Sequence, residues 1–176
     1  GGVGSVAVEI LAKLGYHVVA ITGKGEEAEY LKGIGAKEVV LRQSLDLTKI
    51  RPLDRATFAG AIDNLGGDYL AWLLSTAKIG GTVAAVGLAA GHKLSTTVMP
   101  FILRGVHLLG TDSVNCPMGV RQRIWNKLAV EWRPDRVHDG VRTIDFAELP
   151  THFDAYLKGL VRGRTVVRIA PDSHGG

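Results

Sequence analysis

Cysteine is almost missing from this chain. Cys116 is the single one among 176 residues, so no disulfide framework and no thiolate zinc cluster can form within it. A catalytic zinc needs three protein ligands. The six histidines (His17, His92, His107, His138, His152 and His174) fall at no ligand spacing, so no metal is expected and they read as structural or surface groups. No apolar run approaches the ~18 residues of a membrane span. No signal-peptide pattern opens the chain, so a cytoplasmic location and no membrane partner are expected. No run of five or six like charges occurs, although the formal net charge is +4. No aromatic-rich basic patch accompanies that charge, and nucleic acid is not an expected partner. The small basic bias suits an anionic small molecule, such as a phosphorylated cofactor or a coenzyme A thioester. Internal repeats and low-complexity segments are also absent.

Two further absences stand at the start. There is no initiator Met, and no strand precedes Gly1-Gly2-Val3-Gly4-Ser5. These glycines lead straight into an amphipathic helix, as the second half of a glycine-rich dinucleotide fingerprint does. In that motif a strand ends, the backbone turns tightly, and the next helix aims its N-terminus at a pyrophosphate. The expectation is a C-terminal portion of a larger protein. A phosphate-binding loop of the nucleotide-hydrolase kind is excluded, because no Lys-Ser/Thr pair follows the glycines.

What is present is a βα alternation. Hydrophobic residues make up 46% of the chain, enough for a core. Residues 3–14 read as a helix with Val6, Ile10 and Leu14 on one face and Gly15 closing it. Residues 17–22 (HVVAIT) read as a buried strand, 26–33 as a helix, and 38–41 as a strand. The stretch 45–57 is polar and ambiguous. Residues 59–65 read as a strand, 68–78 as a helix and 81–87 as a strand. A loop or short helix surrounds Pro100, and 106–113 is a strand. Pro117 opens a helix to about residue 132, and a charged connector spans 133–141. A strand at 142–146, a helix at 149–161 and a strand at 164–170 complete the pattern, and the tail at 171–176 reads as a disordered end. The expected fold class is α/β, a Rossmann-like doubly wound parallel sheet lacking its first strand.

Ligands in such sheets sit at the carboxyl ends of the strands. The second strand of an NAD-binding domain ends in a carboxylate that holds the ribose 2′-OH. Here it ends Ile21-Thr22-Gly23-Lys24. A carboxylate would repel a 2′-phosphate, whereas a hydroxyl, a backbone N–H and an ammonium hold one, so NADPH is favoured over NADH. Glu26 and Glu27 follow closely and leave an NAD reading open. Arg42 follows the next strand and can reach the same phosphate. Leu88, beside Gly87, and Ser113, beside Asp112, occupy later strand ends, with Met99 to Ile102 between them. Asp63-Asn64 reads as a turn or helix cap.

The segments GGVGSVAVEILAKLGYHVVAITGK, AGAIDNLGG, VAAVGLAAG, TTVMPFILRGVHLLGTDSVNCP and GRTVVRIA together resemble the acrylyl-CoA reductase / YhdH-type quinone oxidoreductase branch of the medium-chain dehydrogenase/reductase superfamily. The resemblance runs in order from Gly1 to about Ala170. It implies a zinc-independent, NADPH-dependent reductase, homodimeric in its complete form, whose GroES-like catalytic domain lies outside this chain. Residues 1–116 would be the NADP-binding Rossmann domain, truncated at its N-terminus. Residues 117–170 would be the segment that returns to the catalytic domain, and 171–176 the tail. Cofactor contacts would be Gly1, Gly2 and Val3 at the pyrophosphate, with Thr22, Gly23, Lys24 and Arg42 at the 2′-phosphate. Leu88, Ile102 and Ser113 would lie near the nicotinamide, and Arg164 would close the site. Where the family has Ser-Gly-Arg, this chain has Thr22-Gly23-Lys24, which replaces a bidentate cation by a point charge.

The implied reaction is hydride transfer from NADPH to the β-carbon of an activated alkene, with acryloyl-CoA favoured and a quinone or enone as the alternative acceptor. A non-catalytic NADPH-binding module is the reading from another class. A methyltransferase of similar sheet topology fits less well, given the βα order. No proton donor or oxyanion donor is identifiable, and the fragment by itself is expected to be inactive.

Overall fold

A computed structural model describes residues 1–169. The tail at 171–176 and Ala170 lie outside them. Among the described residues the chain runs α1 (Gly2–Lys13), β1 (Val19–Thr22), α2 (Ala28–Gly33), β2 (Glu38–Leu41), β3 (Phe58–Asp63), α3 (Gly67–Thr76), β4 (Ala77–Ala85), α4 (Met99–Arg104), β5 (His107–Gly110), α5 (Met118–Ala129), β6 (Val141–Asp145), α6 (Leu149–Leu157) and β7 (Arg164–Arg168). The strands fall into sheets of order β1-β2, β3-β4-β5 and β6-β7. The second and third sheets are parallel. The neighbours β2-β1 and β3-β4-β5 are those of strands 3-2 and 4-5-6 in the doubly wound order 3-2-1-4-5-6, whose strand 1 precedes the glycine turn.

The chain divides into two compact units. The first combines Gly1–Ala20, Glu26–Val39 and the described residues from Lys127 onward. Its core is Val8 from α1, Val18 and Ala20 from the first strand region, and Leu31, Ile34 and Ala36 around α2. Both helices end as their sequences dictate. After α1, Gly15 takes φ 84°, its N–H bonds the Ala12 carbonyl, and Tyr16 N–H bonds that of Leu11. After α2, Gly35 takes φ 113° with the same paired bonds to Lys32 and Leu31. A side chain at either glycine would be strained in that left-handed conformation, which is why glycine stops these helices.

The second unit combines Ile21–Gly25 with Val40–Asn126. Its core joins Leu70, Leu73 and Leu74 of α3 to Ala77 and Val83 of β4 and to Val106. The sequence places a helix end at 78 and a strand start at 81. The structure moves that boundary: α3 stops at Thr76 and β4 begins at Ala77. Ala77 pairs with Phe58, and the register then shifts so that Gly60 faces Thr82. Gly80, at φ 69°, supplies the irregular backbone. The 45–57 stretch holds no helix or strand, matching its mixed composition. Arg104, the last residue of α4, donates from Nη1 to the carbonyls of Ser75 (2.8 Å) and Ala77 (3.0 Å) and from Nη2 to that of Asp54. One guanidinium thereby ties α4 to the α3–β4 junction and to the preceding loop.

Candidate nucleotide-binding elements

In the first unit, the glycine turn opens α1. The Ser5 N–H bonds the Gly1 carbonyl at 3.0 Å, which starts the helix ladder. The first N–H groups of a helix lack a partner within it, which is the anion-binding property of a helix start. Arg164, at the start of β7, stands against this turn. A Cβ added to Gly2 would lie 2.6 Å from its Cζ and Nε and 2.7 Å from Nη1. A cation gains nothing from the positive end of a helix dipole. With an anion at the turn, the same guanidinium and the helix start would share one partner. Gly1, Gly2 and Val3 are thus brought together with Arg164.

In the second unit, β1 ends at Thr22, whose Oγ1 accepts the Lys24 N–H at 3.1 Å. Gln43 Nε2 donates to the Gly23 carbonyl at 3.1 Å. Arg42 lies against the same turn: a Cβ on Gly23 would lie 2.9 Å from Nη2. Its Cζ also stands 5.7 Å from the centre of the Tyr69 ring. Thr22, Gly23 and the Lys24 backbone therefore share one turn, with the Arg42 guanidinium laid against it. Glu27, the acidic alternative, is engaged in the first unit, where its Oε2 is 3.2 Å from Arg162 Nη1.

The second unit also carries the later strand ends. Asp63, 2% exposed at the end of β3, accepts the N–H groups of Leu65 (3.1 Å) and Gly66 (2.8 Å). Its own carbonyl accepts those of Val86 (2.8 Å) and Gly87 (3.2 Å). A residue read as a turn or cap thus pins two loops at once. A Cβ on Gly87 would meet the Asn64 carbonyl oxygen at 2.6 Å, so only glycine fits that approach. Leu88 and Ile102 are 65% and 71% exposed. Two apolar side chains left in solvent beside strand ends are available to a planar ring, a role core residues could not take. Ser113 lies in a turn held by Asp112, whose carboxylate accepts the N–H groups of Val114 and Asn115 and the Asn115 side-chain amide. These bonds, the Asn115 backbone first, hold the Asp112 carboxyl below the usual carboxylate range. The Ser113 carbonyl accepts Arg121 Nη2 at 2.6 Å.

Sequence reasoning missed Tyr69, Gln43 and Arg104. Tyr69 lies in the first turn of α3, and only the fold brings it beside Arg42. Gln43 follows the β2 end with no local signal for a partner, and only the fold shows its bond to the Gly23 carbonyl.

The model of the family described as zinc-binding dehydrogenase matches residues 2–131. The name implies zinc, yet among the described residues no three His, Cys, Asp or Glu side chains gather into a ligand set. The residues described here do not fit a zinc site. The chain is 47% identical over 169 residues to the acrylyl-CoA reductase AcuI of Ruegeria pomeroyi, covering 96% of this chain and 51% of that protein. It is 43% identical to the yhdH oxidoreductase of Salmonella enterica, solved in complex with NADP, with a TM-score of 0.91 and coverage of 97% of this chain and 52% of that one. The Bacillus subtilis protein yhfP, solved with NAD bound, is 44% identical with a TM-score of 0.90, over 96% of this chain and 52% of that one. The chain therefore spans about half the length of the relatives it matches. Among the described residues no helix is long and apolar enough to cross a membrane. The chain belongs to the zinc-binding dehydrogenase family, in the acrylyl-CoA reductase and YhdH-type quinone oxidoreductase branch of the medium-chain dehydrogenases/reductases.

Proposed function

We propose that this chain is the cofactor-binding half of an NADPH-dependent reductase of activated alkenes, with acryloyl-CoA as the favoured substrate. The observation that carries the reading is the Thr22-Gly23-Lys24 turn with Arg42 laid against it, at the strand end where an NAD-binding domain has a carboxylate. Support comes from the NADP complex of the Salmonella relative and from the acrylyl-CoA reductase of Ruegeria. The yhfP relative was solved with NAD, so the choice of nucleotide rests on the turn itself.

Bound NADPH would supply a hydride to the alkene β-carbon. The chain's own residues bind and orient it. The N–H groups of Gly1, Gly2 and Val3 take the pyrophosphate, and Arg164 adds a cation there. Thr22, Gly23, Lys24 and Arg42 take the 2′-phosphate. Leu88, Ile102 and Ser113 line the nicotinamide, two by apolar contact and one by polar contact. Fixing one ring face in this way is the positioning part of catalysis. The proton donor is assigned to the catalytic domain of the complete, homodimeric protein, to which residues 117–170 return. The exposed Phe153, Tyr156 and Leu157 of α6, a helix with no buried residue, fit that assignment.

The test is NADPH oxidation by the complete protein with acryloyl-CoA, a simple enone and a quinone in parallel. Fastest turnover of the thioester supports the reading. Preference for the quinone moves the assignment to the second acceptor class. No oxidation with any acceptor, despite tight binding, favours a non-catalytic NADPH-binding module.

A further inference from the structure

Arg42 follows β2 directly, and the structure assigns it no ion-pair partner among the described residues. Its guanidinium is half-buried and meets two neighbours instead. One is the bare backbone of Gly23, where a Cβ would come within 2.9 Å of Nη2. The other is the Tyr69 ring, 5.7 Å from Cζ to centroid. A carboxylate and an aromatic face hold a guanidinium in different ways. The carboxylate occupies in-plane N–H donors and cancels the charge. The ring attracts the cation through its quadrupole and takes no N–H. The donors and the charge then stay available to an incoming phosphate dianion, two of whose oxygens the guanidinium fork can engage at once.

We infer that Tyr69 is a positioning residue for nucleotide discrimination: its ring holds the Arg42 guanidinium beside Gly23, ready for the 2′-phosphate of NADPH. The inference rests on the NADPH reading above. Gln43 serves the same end from the neighbouring position, since its bond to the Gly23 carbonyl ties the turn carrying Thr22 and Lys24 to the segment carrying Arg42. A flexible arginine in solvent loses side-chain entropy when it orders on a phosphate. One already held by a ring loses less, so the contribution falls on the phosphorylated nucleotide alone.

The experiment compares the complete protein with its Tyr69→Leu and Tyr69→Phe variants. Leucine keeps apolar bulk on α3 and removes the ring; phenylalanine keeps the ring and removes the hydroxyl. Each is titrated with NADPH, NADH and 2′,5′-ADP, and circular dichroism checks folding. Tyr69→Leu is expected to weaken NADPH and 2′,5′-ADP about two- to fivefold, the size of a partly exposed cation–π contact, while NADH stays unchanged. Tyr69→Phe is expected to behave as the parent. Equal weakening of NADPH and NADH by Tyr69→Leu overturns the inference, because it marks a general packing role. No weakening of either also overturns it, while the NADPH reading stands. A parent protein that fails to discriminate NADPH from NADH sinks the reading and the inference together. Should Tyr69→Leu not fold, Tyr69→Phe together with Tyr69→Trp decides. Retained discrimination in both supports the role of the ring, and lost discrimination in Tyr69→Phe contradicts it.

Discussion

Arg164 fills the space that a side chain at Gly2 would need. A Cβ there would come within 2.6 Å of the guanidinium Cζ. The blocking atoms are the far end of a flexible side chain, so Gly2→Ala should displace Arg164 and leave the α1 backbone in place. Alanine is the better helix former. Stability is expected to stay level or rise by up to about 1 kcal/mol, as other Gly→Ala changes at compatible positions do. Affinity for NADPH and NADH should fall together, because both carry the pyrophosphate. A thermal melt and a paired titration check this, and a large drop in melting temperature would contradict it.

The other end of the nucleotide predicts the opposite pattern. Lys24→Glu puts like charge beside the proposed 2′-phosphate site. NADPH binding should fall by about tenfold or more, the scale of a lost charge-assisted hydrogen bond, while NADH binding changes little. Equal loss for both nucleotides would remove Lys24 from the site.

Arg104 makes a prediction about stability. Its guanidinium satisfies the carbonyls of Ser75, Ala77 and Asp54. Arg104→Met keeps much of the stem and orphans those acceptors, so denaturant unfolding should show a loss of about 2–4 kcal/mol. Since α4 carries Ile102, which is proposed to line the nicotinamide, looser placement should lower kcat of the proposed reaction in the complete protein more than it raises KM for NADPH. An unchanged unfolding midpoint would show that the three bonds carry no net weight.

The turn that presents Ser113 should depend on pH. The carboxyl of Asp112 is held below its ordinary range by bonds from Asn115 and Val114. A carboxylate with a lowered folded-state pKa contributes its stabilisation above the unfolded value. That contribution disappears as pH falls through the folded one. Protection of the Val114 and Asn115 amides, measured against intrinsic exchange at each pH, should therefore fall only at acid pH and stay level through neutrality. Asp112→Ala, which removes the acceptor, should show low protection at every pH. Acid-independent protection of these two amides in the parent would contradict the account.

Much of the fold was legible because its signals are local. Gly15 and Gly35 end helices through a backbone conformation that glycine alone adopts without strain, and a reader of the sequence needs nothing distant to place them. The 38–41 strand came out with the same limits because turn residues bracket an apolar run. The α3–β4 boundary was not legible. Ala77 has no β preference of its own, and its pairing with Phe58 depends on a register shift set by a partner strand. The site divides in the same way. Thr22, Gly23, Lys24 and Arg42 could be named as candidates because charge and hydroxyl chemistry at a strand end follow from the alternation of strands and helices. Tyr69 and Gln43 could not, since nothing in their own neighbourhood indicates the residue they hold.

Discrimination between the two nucleotides by the β1 turn is open to a paired titration. The complete protein and this chain are each titrated with NADPH and NADH under the same salt, following nucleotide fluorescence. The complete protein is expected to bind NADPH about tenfold or more tighter than NADH, as one or more charge-assisted contacts to the 2′-phosphate require. Equal affinity for the two nucleotides would contradict this, and binding of neither would in addition reduce the opening glycines to a turn that packs a helix.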